Sequence, residues 1–167
     1  MSIVPQCNMG ETVTLEVGEK APEFSCLDQD GNTHTLSEIL KEEKGVVLYF
    51  YPKDNTPGCT IQACDFRDNQ NQITNFDYVI LGVSKDSEKS HKKFIDKYDL
   101  NFPLLMDTDV ELHMKYGTWK EKSMYGKTYM GTARSTFVIG KDGILEYVKY
   151  NVKAKGHVEN LLQEIKN

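Results

Sequence analysis

The sequence lacks a long apolar run, an excess of positive charge and a secretory leader, and each absence excludes a class of protein. The longest apolar stretch is the six residues Val46–Tyr51, whereas a membrane helix needs about 20. The N-terminus has no basic segment followed by an apolar one, so we expect no signal peptide. The net charge is -5, from 20 basic and 25 acidic residues, which disfavours nucleic acid or an anionic membrane as the partner. We therefore expect a cytoplasmic globular protein with no nucleic-acid or membrane partner.

Cysteine is also scarce, with only Cys7, Cys26, Cys59 and Cys64 in 167 residues. A secreted disulfide scaffold is shorter and richer in cysteine, so we interpret these residues as reduced thiols in a reducing compartment. No pair has the C-x-x-C spacing, and the four histidines do not lie beside the cysteines at the spacing of zinc ligands. No metal site is predicted.

What the sequence does contain is an alternation of buried strands and amphipathic helices. The runs Gly45–Tyr51 and Tyr78–Val83 predict strands buried on both faces. A helix is predicted between them, from about Cys59 to Gln72. The same patterns predict further elements: a strand or hairpin over Glu16–Leu27 with a turn at Asp30–Asn32, helices over Leu36–Lys41 (capped by Ser37), Ser87–Tyr98 and Asp109–Tyr116, a hairpin of Ser135–Ile139 and Ile144–Lys149, and a last helix with Val158, Leu161, Leu162 and Ile165 on one face.

This order of elements predicts an α/β fold with a mixed central β-sheet and helices on both faces. The thioredoxin fold has the same order. We expect residues 1–12 to be an N-terminal extension and residues 13–167 to form a single domain. Within it, Cys26 is expected to be a core thiol in a strand, His157 to be a surface residue that begins the last helix, and Trp119, Tyr125 and Tyr129 to serve in packing.

Cys59 is predicted to lie where a buried strand ends and a helix begins, behind the polar turn Pro52–Gly58. The carboxyl ends of strands are where open α/β sheets bind ligands. The first turn of a helix also offers unpaired N–H groups and the positive end of the helix dipole, and both favour a thiolate. Burial of Cys59 and Cys64 as unreactive core thiols is the alternative interpretation.

Three stretches of the sequence resemble a known family. The pattern Pro52-x-x-x-Thr56-x-x-Cys59 resembles the active-site signature of peroxiredoxins. The wider stretch from Tyr49 to Asp68 has a second cysteine, Cys64, five residues after the first. In this it resembles the peroxiredoxin Q subfamily, also called bacterioferritin comigratory protein. The stretches 122–131 (KSMYGKTYMG) and 133–138 (ARSTFV) agree with the same subfamily, and the resemblance extends from about Val17 to Ile165.

The resemblance implies a role for each of five residues. Cys59 would be the peroxidatic nucleophile, and Cys64 would resolve it by forming an intramolecular disulfide. Thr56 would form hydrogen bonds with the thiolate and the peroxide, Pro52 would shape and shield the pocket, and Arg134 would supply a cation. Resolution by Cys7, by Cys26 or by a cysteine of a second chain stays open.

The resemblance also implies an activity, which is a thiol-dependent peroxidase with a thioredoxin-like fold that reduces hydrogen peroxide and organic hydroperoxides. No cofactor or metal is implied. The partners would be a hydroperoxide substrate and thioredoxin or a similar dithiol reductant, and the protein would be a monomer. Two alternative interpretations use the same cysteines. In one the protein is a dithiol–disulfide oxidoreductase that acts on other proteins, and in the other it is a redox sensor or chaperone without catalytic turnover.

The five-residue spacing has a geometric consequence for the disulfide. In a regular helix, Cα atoms five residues apart are separated by about 8.6 Å. A disulfide tolerates about 7 Å at most. We therefore expect the first turns of the helix to unwind when Cys59 and Cys64 form a bond.

Overall fold

A computed structural model describes residues 13–166 of the chain. These residues contain nine β-strands and six α-helices. The predicted N-terminal extension, residues 1–12 with Cys7, lies outside the described residues. The strands are β1 (Ser25–Leu27), β2 (Thr33–Thr35), β3 (Gly45–Phe50), β4 (Tyr78–Ser84), β5 (Leu104–Met106), β6 (Trp119–Met124), β7 (Lys127–Thr132), β8 (Ser135–Ile139) and β9 (Leu145–Lys149). The helices are α1 (Leu36–Lys41), α2 (Pro57–Asp68), α3 (Gln70–Asn75), α4 (Glu88–Tyr98), α5 (Glu111–Tyr116) and α6 (His157–Lys166).

Five of the strands form a central sheet in the order β5-β4-β3-β8-β9. Strands β3, β4 and β5 are parallel, whereas β8 is antiparallel to β3 and β9 is antiparallel to β8. Strands β1 and β2, and strands β6 and β7, form two separate antiparallel pairs. The predicted mixed central sheet is therefore confirmed.

Strand β3 lies at the centre of this sheet, and all six of its residues are buried. Its side chains alternate between two hydrophobic clusters because successive residues of a strand point to opposite faces. On one face Val47 and Tyr49 pack with residues of α2, α3, α4 and α6, and on the other Leu48 and Phe50 pack with residues of α1 and α5. Helices thus cover both faces of the sheet, as the sequence predicts.

The predicted helix from Cys59 to Gln72 is wrong at both ends. Helix α2 begins two residues earlier, at Pro57, which the first turn of a helix accommodates because its N–H groups have no helical acceptor. The helix ends at Asp68, where Asn69 leaves helical geometry and its side-chain amide donates to the carbonyl of Asp65 at 2.8 Å. Helix α3 then starts separately at Gln70.

Several smaller predictions also need correction. Thr35, and not Ser37, is the N-cap of α1. His157 is buried at 4% exposure, because its Nε2 lies 2.8 Å from Thr136 Oγ1 on the central sheet. Tyr125 and Tyr129 are 96% and 45% exposed rather than packed.

Two features of the fold carry no clear periodic signal in the sequence. Strand β5 has only three residues, which is too short to show a pattern. The β6–β7 hairpin stands outside the central sheet, so most of its side chains are partly or fully exposed and lack the alternation of a half-buried strand. Within residues 13–166, no helix combines the length and the apolar character needed to cross a membrane.

Candidate active site

Cys59 is the third residue of α2, the helix that follows β3 after the turn of residues 51–56. Its exposure is 1%, and it belongs to the hydrophobic cluster that contains Tyr49. Burial raises the pKa of Tyr49 well above its ordinary value, and the nearby charge of Cys59 raises it further. The sulfur is therefore held in a largely apolar environment beneath the first turn of the helix.

Polar groups lie at the start of α2, close to Cys59 in sequence. Thr56 is the N-cap, and its hydroxyl donates to the carbonyl of Lys53 at 3.0 Å instead of capping the helix. The first regular helical bond runs from the N–H of Thr60 to the carbonyl of Thr56 at 2.8 Å. The N–H groups of Gly58 and Cys59 precede that bond, so they and the positive end of the helix dipole are available to an anion at this terminus.

Arg134 reaches α2 from the loop between β7 and β8. Its Nη1 donates to Oε1 of the fully buried Gln62 at 2.8 Å. Its Nη2 would lie 3.0 Å from a Cβ atom at position 58, so the guanidinium approaches the helix closely at Gly58. Arg134 thus contacts α2 at positions 58 and 62, one on each side of Cys59 in sequence.

Gln62 is a site residue that sequence reasoning missed. It lies three residues after Cys59 and therefore on the same face of α2. Its position is visible in the sequence, but its burial and its bond to Arg134 depend on the β7–β8 loop, which is distant in sequence.

A second cation lies in the same electrostatic environment. Lys122 projects from β6, and its side chain passes 3.2 Å from where a Cβ atom at Gly131 would stand. Burial lowers the pKa of Lys122, the charge of Arg134 lowers it further, and Cys59 acts in the opposite direction. The hairpin therefore brings a lysine toward the charges of Arg134 and Cys59.

The remaining predicted residues are placed as follows. Pro52 lies two residues after the end of β3 and is half-buried. Cys64 is half-buried in the same helix as Cys59, and both thiols are free. Cys26 lies on β1 among residues of the opposite face of the sheet, and burial followed by the charges of Asp107 and Asp109 raises its pKa to about 12. The structure thus separates Cys26 from Cys59 and gives it little thiolate character.

Residues 17–148 match the AhpC/TSA family. The chain belongs to this family. It is also 46% identical to peroxiredoxin Bcp from Bacillus subtilis over 155 aligned residues, which cover 93% of this chain and 98% of the relative.

Solved structures agree with this assignment. A mutant of PrxQ from Xylella fastidiosa has a TM-score of 0.86 and 34% identity, covering 92% of this chain and 97% of that one. The bacterioferritin comigratory protein of Xanthomonas campestris, whose structures concern its alkyl peroxide reduction activity, has a TM-score of 0.80 and 37% identity, covering 86% of this chain and 90% of that one. The predicted peroxiredoxin identity and thioredoxin-like fold are confirmed, and the chain is a peroxiredoxin of the Bcp or peroxiredoxin Q type.

Proposed function

We propose that this peroxiredoxin reduces hydrogen peroxide and organic hydroperoxides through Cys59 and closes its cycle with an intramolecular Cys59–Cys64 disulfide. The observation that carries the proposal is the position of Cys59 at the start of α2, where free N–H groups and the Arg134 guanidinium meet. The activity of the Xanthomonas campestris relative on alkyl peroxides supports the substrate class.

In the first step, the Cys59 thiolate attacks the terminal oxygen of the hydroperoxide. A sulfur–oxygen bond forms, the oxygen–oxygen bond breaks, and water or an alcohol leaves after taking up a proton, so that Cys59 becomes a sulfenic acid. Charge develops on the leaving oxygen. Arg134 and the N–H groups at the start of α2 are fixed before the reaction, and donors of this kind stabilise such charge. Thr56 keeps its oxygen lone pairs free, because its hydroxyl proton is used on Lys53.

In the second step, the Cys64 thiolate attacks the sulfenic sulfur of Cys59. A disulfide forms, the sulfur–oxygen bond breaks, and the oxygen leaves as hydroxide that takes up a proton to become water. Both cysteines lie within the 12-residue helix α2, where their Cα atoms are about 8.6 Å apart, so the start of the helix has to unwind before the bond closes. Cys26 is a poor resolving residue because of its raised pKa and its position on the other face of the sheet.

An external dithiol then reduces the disulfide, and we propose a reductant of the thioredoxin type. Such a cycle operates in a reducing compartment, which supports a cytoplasmic location. It needs one copy of the chain, which supports a monomer formed by a single domain over residues 13–167. Pro52, which lies just after the carboxyl end of β3, would shape the pocket and shield it from solvent.

The test is peroxide consumption coupled to thioredoxin, thioredoxin reductase and NADPH. The wild type should turn over continuously, Cys59→Ser should be inactive, and Cys64→Ser should react once and then stop. The matched control is Cys26→Ser, which should keep turning over. Activity in a folded Cys59→Ser protein would contradict the proposal.

A further inference from the structure

The turn that precedes Cys59 is held by a buried hydrogen-bond network that the peroxidase cycle described above does not use. Asp54 lies in this turn, and its side chain is 2% exposed. Its Oδ1 accepts from the hydroxyl of Tyr51 at 2.6 Å, and its Oδ2 lies 2.7 Å from both the hydroxyl of Ser90 and Nδ1 of His91. The network therefore joins the end of β3 to the start of α4.

His91 is fully buried and makes a polar contact with each of its ring nitrogens. Its Nε2 lies 2.9 Å from the carbonyl oxygen of Leu105. A carbonyl oxygen only accepts hydrogen bonds, so Nε2 carries a hydrogen. Nδ1 and Asp54 Oδ2 then share a further hydrogen between them, because two lone pairs at 2.7 Å would repel each other. Both ring nitrogens of His91 and the Oδ2 of Asp54 thus have partners in a site that is almost completely buried.

A cation site is the alternative interpretation of this cluster. Asp54, Asp86 and His91 bring three possible ligand atoms within 4.8 Å of one another. Each of these atoms already faces a protein group at hydrogen-bond distance, since Asp86 Oδ2 accepts from the N–H of Asp54 and from the hydroxyl of Ser84, both at 2.8 Å. A metal ion would have to displace these bonds, so the cluster is better described as a hydrogen-bonded clamp.

The clamp acts on the residues next to the reacting sulfur. Thr56 follows Asp54 by two residues and closes the turn onto Lys53. Asn55 between them adopts a left-handed conformation with φ 58°, and its side chain accepts a hydrogen bond from Tyr98 at 3.2 Å, at the other end of α4. Helix α4 thus holds the turn at two points, immediately before α2 begins at Pro57.

We propose that Asp54 and His91 are positioning residues, which hold the Lys53–Thr56 turn so that Thr56 and the first N–H groups of α2 stay aligned on Cys59 during its reaction with peroxide. The inference rests on the proposed function of Cys59. It predicts a division between the two chemical steps. Sulfenic acid formation needs the turn in place, whereas disulfide formation needs the start of α2 to leave its place.

The experiment measures both steps separately in single-turnover reactions with hydrogen peroxide. His91→Leu removes both ring contacts and should slow sulfenic acid formation by about 10- to 100-fold, the range expected when a reacting group is misplaced by a fraction of an ångström to 1 Å. Disulfide formation should not be slowed. His91→Asn keeps a donor near the position of Nδ1 and should recover most of the first rate.

Ser87→Ala is the matched control in the same helix. Ser87 caps α4 by accepting from the N–H of Ser90 at 3.3 Å, so its loss should lower the melting temperature while both rates stay at wild-type values. If His91→Leu does not fold, Asp54→Asn, which has the same shape without the charge, is judged by the same criteria.

Two outcomes would overturn the inference: a first-step rate unchanged in the Asp54 and His91 variants, or both steps reduced equally. Failure of the proposed function is a different result, namely a wild type that does not reduce peroxide or a Cys59→Ser protein that does. An active wild type with unaffected clamp variants would refute only the role of Asp54 and His91.

Discussion

Oxidation of Cys59 and Cys64 to a disulfide should unwind the start of α2. Six of the 12 residues of this helix lie from Cys59 through Cys64, and they cannot stay in a regular helix when the Cα separation falls from about 8.6 Å to 7 Å or less. Unwinding also breaks the bond from Arg134 to Gln62 and withdraws Gln62 and Ala63, which are both fully buried, from the core.

The cost of that step can be estimated from the contacts that are lost. A hydrogen bond to a charged group contributes about 1.5–3 kcal/mol, so the loss of the Arg134–Gln62 bond alone keeps the unwound form of the reduced protein at about 0.6–8%. The reduced protein should therefore show the full helical signal, and the disulfide should trap the minor form.

Far-UV circular dichroism tests this expectation. Wild type treated with one equivalent of hydrogen peroxide should lose the signal of about six helical residues, whereas Cys64→Ser, which reaches only the sulfenic acid, should keep it. Peptide mapping of the same samples identifies the linkage. An unchanged spectrum in wild type that carries a proven Cys59–Cys64 disulfide would refute the geometric reasoning.

Three further predictions concern the residues around this helix. Arg134→Met removes the cation beside α2 and should slow sulfenic acid formation by about 100-fold or more, measured by competition for peroxide, and an unchanged rate would contradict the placement of the guanidinium. Gln62→Leu keeps the bulk of the side chain but removes the acceptor of the Arg134 hydrogen bond. Sulfenic acid formation should therefore slow, and disulfide formation should accelerate by about fivefold or more. Stopped-flow kinetics measure both rates, and equal slowing of the two steps would contradict this expectation. Burial, followed by the charges of Lys149 and Arg134, lowers the pKa of His157 from 6.5 to about 4, so the unfolded chain binds its proton at higher pH than the folded one. The free energy of unfolding should fall as the pH is lowered from 6.5 to 4, by up to about 3 kcal/mol, and denaturant titrations should show a flatter profile for His157→Gln than for wild type.

The central part of the fold was predictable because its signals are local. The buried run of β3 and the Pro-containing turn after it identify the strand–helix junction, and the peroxiredoxin pattern then points to Cys59. The hairpin formed by Ser135–Ile139 and the strand after it is similarly marked by the Asp142–Gly143 turn, although β9 begins at Leu145 rather than Ile144. Each of these elements is specified by residues that are close in sequence.

The features that could not be predicted depend on contacts between distant residues. His157 was expected on the surface, but Thr136, 21 positions away, binds its ring in the core. Gln62 and Arg134 are 72 positions apart, and Asp54 and His91 are 37 apart. A buried polar side chain is recognisable only when its partner is known, because burial without a partner would be unfavourable. The cysteine that we propose as the nucleophile could therefore be identified from the sequence, whereas the buried polar residues around its helix could not.

Cys59 is proposed to be the nucleophile that takes an oxygen atom from the peroxide, and trapping of its sulfenic acid tests this role most directly. The Cys64→Ser protein, which cannot close the proposed disulfide, is treated with one equivalent of hydrogen peroxide in the presence of a sulfenic-acid-specific reagent and mapped by mass spectrometry. Label is expected on Cys59 and not on Cys26, whose pKa is raised to about 12. Label on Cys26 or Cys7 with Cys59 unmodified would contradict this role.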